Sequence, residues 1–185
     1  MPLHYALTDA LVMLVAAWGV WRMVQSRQPI AALGIALFGM AGAIGTVRIT
    51  AGLDEQLAGI HKMTSQLGGV AGTALLLSQI LRHQNHAHST AVSLFAALAA
   101  MAVAALFPAA GAALFIAMLV GAIALLLRAR AYLGAAVFTL MLINVLLIRQ
   151  SARLGPDVSW HAYHVIVAIW LACTAAYLAK PASTT

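Results

Sequence analysis

Residues 90–128 read TAVSLFAALAAMAVAALFPAAGAALFIAMLVGAIALLLR, with no charged side chain before Arg128. A bilayer's hydrocarbon core is about 30 Å thick and takes ~20 helical residues. The run is too long for one span, and Pro108 stands near its middle. Proline lacks a backbone donor and is tolerated in the first turn of a helix. Two helices are therefore predicted, about 90–107 and 112–127, joined by a very short turn at 108–111.

Outward from this run the chain repeats the pattern. It has 185 residues, 64% hydrophobic and 8% charged, where a soluble domain carries about 25% charged residues. A small water-soluble globule could not hide that much apolar surface. In lipid, backbone groups must be satisfied internally, which leaves helices or a closed barrel. The apolar runs lack the period-2 alternation of barrel strands, so the fold class predicted is all-α. Further helices are expected at about 9–24, 30–51, 55–81, 131–148 and 158–178, making a bundle of seven transmembrane helices in a single domain over 1–185. Thr8 and Asp9 are read as caps of the first helix. Gly39, Gly42 and Gly45 on the second, and Gly68 and Gly72 on the third, form small-residue strips for close helix approach.

Charge placement tests the break at Pro108. With seven helices, Arg22, Arg27, Arg82, Arg128, Arg130 and Lys180 fall on one side, and Arg48, Lys62, Arg149 and Arg153 on the other. With one span in place of two the basic residues divide evenly. The seven-helix arrangement recovers a positive-inside asymmetry. It puts the N-terminus outside and the C-terminus in the cytoplasm, with a bacterial inner membrane as the expected location. The net charge of +6 is spread singly over helix ends without a basic stripe, which argues against nucleic acid as a partner and for the lipid bilayer. The single Cys173 makes no internal disulfide. The N-terminus lacks the basic region and cleavage site of a signal peptide.

This topology sorts the polar residues. His4, His61, His161 and His164 fall toward the outer side with all four acids, Asp9, Asp54, Glu55 and Asp157. Asp157, His161 and His164 share one face of the last helix, and Asp54, His61 and Ser65 one face of the third. Three imidazoles with a carboxylate can hold zinc with an open position, so His61, His161, His164 and Asp157 are candidate metal ligands. Asp54 and Ser65 are candidates to orient or deprotonate a zinc-bound water. Each also has a plainer reading. Asp54 and Glu55 suit the helix dipole, Asp157 an N-cap, and Trp160 and Tyr163 an interfacial aromatic belt. Arg48 can pair with Asp54 or Glu55, and Asn144 can bond a neighbouring helix. His83, His86 and His88 form a polar tract on the cytoplasmic side, read as a solvated loop in preference to a metal chelator.

Seven helices, an outside N-terminus, Asp54 at the start of the third helix and the segment Ser159-Trp160-His161-Ala162-Tyr163-His164-Val165-Ile166-Val167 together resemble the alkaline ceramidase and adiponectin-receptor superfamily. That resemblance implies a seven-helix zinc hydrolase or a hydrolase-like receptor. The family pattern places Ser and, four residues on, His on helix 2, Asp near the start of helix 3, and His-x-x-x-His at the opening of helix 7. Here the last spacing is His-x-x-His, Trp160 stands four residues before His164, and helix 2 has neither Ser nor His, so His61 would have to supply the missing ligand.

Three functions follow from the sequence. The first is a membrane protein that binds a lipid or small-molecule ligand at its outer His/Asp cluster. The second is a zinc-dependent hydrolase of a lipid amide or ester. The third is a b-type haem protein with His61 and His164 as axial ligands. Retinal is disfavoured, because the only lysine near the last helix is Lys180, at its cytoplasmic end.

Overall fold

The computed structural model describes residues 2–84, 88–149, 151 and 153–180. Among them there are seven helices and no strand: α1 (Tyr5–Gln25), α2 (Pro29–Thr50), α3 (Asp54–His83), α4 (Thr90–Leu106), α5 (Pro108–Arg128), α6 (Tyr132–Ile143), which continues as a wider π turn over Asn144–Ile148, and α7 (Gly155–Leu178). The break at Pro108 is present. Phe107 leaves helical geometry, and Pro108 opens α5 with its missing donor at a position that needs none. Pro29 and Pro156 stand in the first turns of α2 and α7, and Ser89 caps α4 by accepting from the Val92 amide at 3.2 Å. The first helix starts one turn earlier than expected, which takes Asp9 out of the capping position and places it inside α1.

The helices form a ring in the order α1, α2, α3, α5, α6, α7 and back to α1, with α4 outside against α3 and α5. α2 and α3 touch α7 only lightly across the interior. The glycine strips explain the tightest crossings. A Cβ on Gly39 would lie 2.7 Å from the Ala16 Cβ, and one on Gly42 2.8 Å from the Asp9 carbonyl oxygen, so α2 presents bare backbone to α1. Its other side meets α3 in the same way. A Cβ on Gly34 would lie 3.0 Å from the Gly72 carbonyl oxygen, and one on Gly72 2.8 Å from that of Gly34. Close backbone approach of this kind gains van der Waals contact where apolar side chains gain nothing by leaving lipid.

Trp170 of α7 fills the middle of the ring. It is fully buried and meets Phe38 of α2 and Phe138 of α6 edge-to-face, with ring centroids 5.0 and 5.5 Å apart. Ile35, Leu76, Leu119 and Leu171 pack in the same core. α3 changes character along its length. From Gly68 to Ile80 almost every residue is buried, whereas its first three turns, with Glu55, Gln56, Lys62 and Gln66, are mostly open. The far end of the bundle closes on polar contacts. Ser78 bonds Ser93 and His88, both at 2.7 Å, and His83 packs against Tyr177. The two described histidines of the expected loop tract are thus packed against the bundle, and His86 lies outside the described residues.

Four helices, α1, α2, α5 and α7, are long and apolar enough to cross a membrane; α4 and the α6–π segment are shorter apolar helices. Large apolar side chains also point outward, among them Leu7, Leu14, Leu33, Phe95, Leu98, Leu133 and Leu147.

The crossings make a prediction. Gly72→Val should destabilise the protein by about 1–3 kcal/mol through overpacking, while Gly121→Val, with no atom near its added carbon, should change it by less than about 0.5 kcal/mol. Thermal unfolding in detergent measures both, and equal shifts would contradict the α2–α3 packing described.

Candidate functional site

α1 and α7 run parallel and side by side, and three contacts climb between them in register. The Tyr5 hydroxyl donates to the Asp157 carboxylate. Thr8 Oγ1 lies 3.2 Å from His161 Nδ1. One step further in, Asp9 Oδ1 lies 3.0 Å from His164 Nε2. The order follows from helical spacing, since residues three and four apart stack on one face. Tyr5 also stacks on Trp160, with centroids 5.1 Å apart, and His4 packs against His161 at 5.1 Å. Trp160 lies against His164 at 4.5 Å. Of the two residues read as an interfacial belt, Trp160 packs against α1, while Tyr163 lies under Arg149.

Asp9 is the residue that sequence reasoning missed. It is fully buried, and a buried carboxylate is costly unless paired. His164 is its partner, and His164 Nδ1 is itself engaged by the Trp160 carbonyl oxygen at 2.8 Å. Gly45 makes the room. A Cβ there would stand 2.8 Å from the Asp9 carboxyl carbon and 2.9 Å from His61 Nε2, so the two side chains flank the space that glycine leaves. The signal available in the sequence was an acid inside an apolar helix, which by default marks function; its place near the chain start let it pass for a cap.

These groups line a cavity of about 750 Å³ inside the ring. Along each wall the lining passes from polar near the helix end to apolar further in: Arg48 to Phe38 on α2, His61, Lys62 and Ser65 to Val70 on α3, Ser159 and His164 to Val167 on α7. α5 contributes Phe115, and the π turn Val145 and Leu146, followed by Arg149. Asn144, which begins that turn, donates from Nδ2 to the Tyr163 carbonyl oxygen at 3.0 Å, tying α6 to α7. Arg149 sits over the Tyr163 ring, 5.3 Å from its centroid.

The expected site residues are only partly brought together. His61, His164 and Ser65 line the cavity. Asp54 pairs with Arg48, Oδ1 to Nε at 3.7 Å. His161 and Asp157 turn to the first turn of α1 and are not among the lining residues. The ligand set of His61, His161, His164 and Asp157 is therefore not assembled, because two of its members face α1 rather than α3. His164 Nδ1 is taken by the Trp160 carbonyl oxygen, and its Nε2 lies 3.0 Å from Asp9 Oδ1. Among the described residues no group of three or more His, Cys, Asp or Glu is placed to hold an ion. The four expected ligands are thus not grouped around one point in this structure.

His164→Ala should cost about 3 kcal/mol of stability, because it strands a buried carboxylate. His161→Ala, which loses a contact near the bundle end, should cost about 1 kcal/mol or less. Adding Asp9→Asn to the His164 variant should recover part of the loss. Thermal unfolding of the four proteins checks the pairing, and similar losses for the two histidines would argue against it.

No protein-family model, curated protein or solved structure matches this chain.

Proposed function

We propose that this is an integral membrane protein that binds an anionic amphiphile, with its acyl part in the interior cavity and its carboxylate or phosphate at the polar end. The observation that carries this reading is the cavity lining. Its volume lies within the 300–1,000 Å³ of small-molecule pockets. Its inner walls are apolar, and its polar end bears Arg48, Lys62 and Arg149 against a single lining acid, Asp9. Asp9 lies beside His164 and Arg48 is paired with Asp54, so Lys62 and Arg149 carry the excess positive charge of the polar end. Four helices able to cross a bilayer and an apolar outer surface support the membrane assignment. The positive-inside count supports an N-terminus outside, which would open the cavity to the outer face of a bacterial inner membrane.

The test uses the protein in nanodiscs of zwitterionic lipid. Dodecanoate should bind saturably, and its methyl ester at least about fivefold more weakly. Lys62→Gln and Arg149→Gln should each weaken dodecanoate by about fivefold, on the order of 1 kcal/mol, and leave the ester unchanged. Binding without this charge discrimination would overturn the reading. Elemental analysis and an absorption spectrum of the same preparation address the hydrolase and haem alternatives. Near-stoichiometric zinc, or iron with a Soret band, lost in a His61→Ala/His164→Ala variant, would replace ligand binding with metal chemistry.

A further inference from the structure

The cavity is walled on one side and open on the other. Where α1 and α2 line it, Val12, Phe38 and Arg48 are buried. Where α3, α5 and the π turn line it, Lys62, Gln66, Ala112, Leu146 and Arg149 are exposed as well. A side chain that does both stands at a rim. Packing explains where the rim lies. α3 and α5 share an apolar cluster through Val70, Ala71 and Ala74 on the one and Leu114 and Met118 on the other, whereas the turns of α3 before Gly68 are mostly open. The ring is sealed further in and parted toward its polar end.

The outer surface beside this rim is apolar. Met63 follows Lys62, Phe107 precedes the lining residue Pro108, and Leu147 follows Leu146; all three are large, apolar and exposed. An acyl chain lying against such side chains loses nothing relative to the bilayer, because lipid tails are as apolar as leucine. A ligand can therefore keep a chain outside the cavity at little cost. The cavity itself, about 750 Å³, has the size of a pocket for one small molecule, so a lipid with two chains would place only one inside. Lys62 and Arg149 stand at the rim, where its headgroup would come. A guanidinium fits two phosphate oxygens at once, and an ammonium adds a point charge. A choline headgroup would bring a further cation to the same place, which like-charge repulsion opposes.

We infer that the ligand is a two-chain anionic phospholipid of the surrounding bilayer, held with one acyl chain in the cavity, its phosphate at Lys62 and Arg149, and its second chain outside along the apolar rim. The inference rests on the binding reading above and names the ligand class within it.

The test uses the full chain in nanodiscs of equal parts phosphatidylglycerol and phosphatidylcholine with identical chains, released for native mass spectrometry. One phosphatidylglycerol should stay bound per protein, at least about fivefold in excess of phosphatidylcholine. Added dodecanoate should displace it, so that no species carries both. In a Lys62→Gln/Arg149→Gln variant the excess should fall to near parity. Equal retention of the two lipids by the wild type would overturn the inference. So would a species holding phosphatidylglycerol and dodecanoate together, since the lipid would then sit elsewhere, or an excess that survives in the variant. Binding of dodecanoate or of single-chain lysophosphatidylglycerol, with no two-chain lipid retained, would overturn it and leave the binding reading standing. If none of the three binds, both the inference and the reading beneath it fall.

Discussion

The buried carboxylate of Asp9 is the constraint around which this bundle is arranged. It is fully buried, on a helix that is mostly apolar around it. A lone carboxylate there would cost about 3–5 kcal/mol, a large part of a small domain's stability margin. His164 removes the penalty, but only if α7 runs beside α1 in one register. That register also places Thr8 against His161 and Tyr5 against Asp157. Three residues within about one turn of α1 thus choose a neighbour that no local pattern names.

The glycines of α2 belong to the same arrangement. α1 can bury Asp9 only because α2 comes close enough to cover it, and Gly42 and Gly45 are where side chains would intervene. The face of α2 that meets α3 is likewise bare at Gly34. α2 therefore works as a thin wall between two helices. Beyond Gly45 the crossing opens, and Asp9, Arg48 and His61 surround one space. The cavity lies where the strip of small residues stops.

Chemically, the polar end is more self-satisfied than a list of its residues implies. His161 Nδ1 faces Thr8, His164 Nδ1 the Trp160 carbonyl oxygen, and Arg48 is held by Asp54. What remains is a chamber with apolar inner walls and with Lys62 and Arg149 at its polar end.

Composition, the length of the apolar runs and the prolines determined that the chain is helical, that it makes seven helices and where they break, including the turn at Pro108. Those signals are local: backbone donors and hydrophobic period act within a few residues of the chain. The glycine strips were legible for the same reason, since a surface of small residues can be recognised before its partner is known. Arg48 with Asp54, and Asn144 reaching a neighbouring helix, were within reach because one pair spans a short turn and the other is a polar group with few alternatives. The site was only half legible. His61, Ser65 and His164 could be placed at one end of the bundle, but spacing on α7 gives the same face to His161 and Asp157. Only the tertiary structure separates them, because α7 packs on α1 and not on α3, and a rotation of less than one quarter-turn decides which side chain enters the cavity. Asp9 was invisible as a site residue for the same reason. Its role comes from the removal of water by helices far away in sequence, and burial is a property of the assembled bundle and not of any one segment.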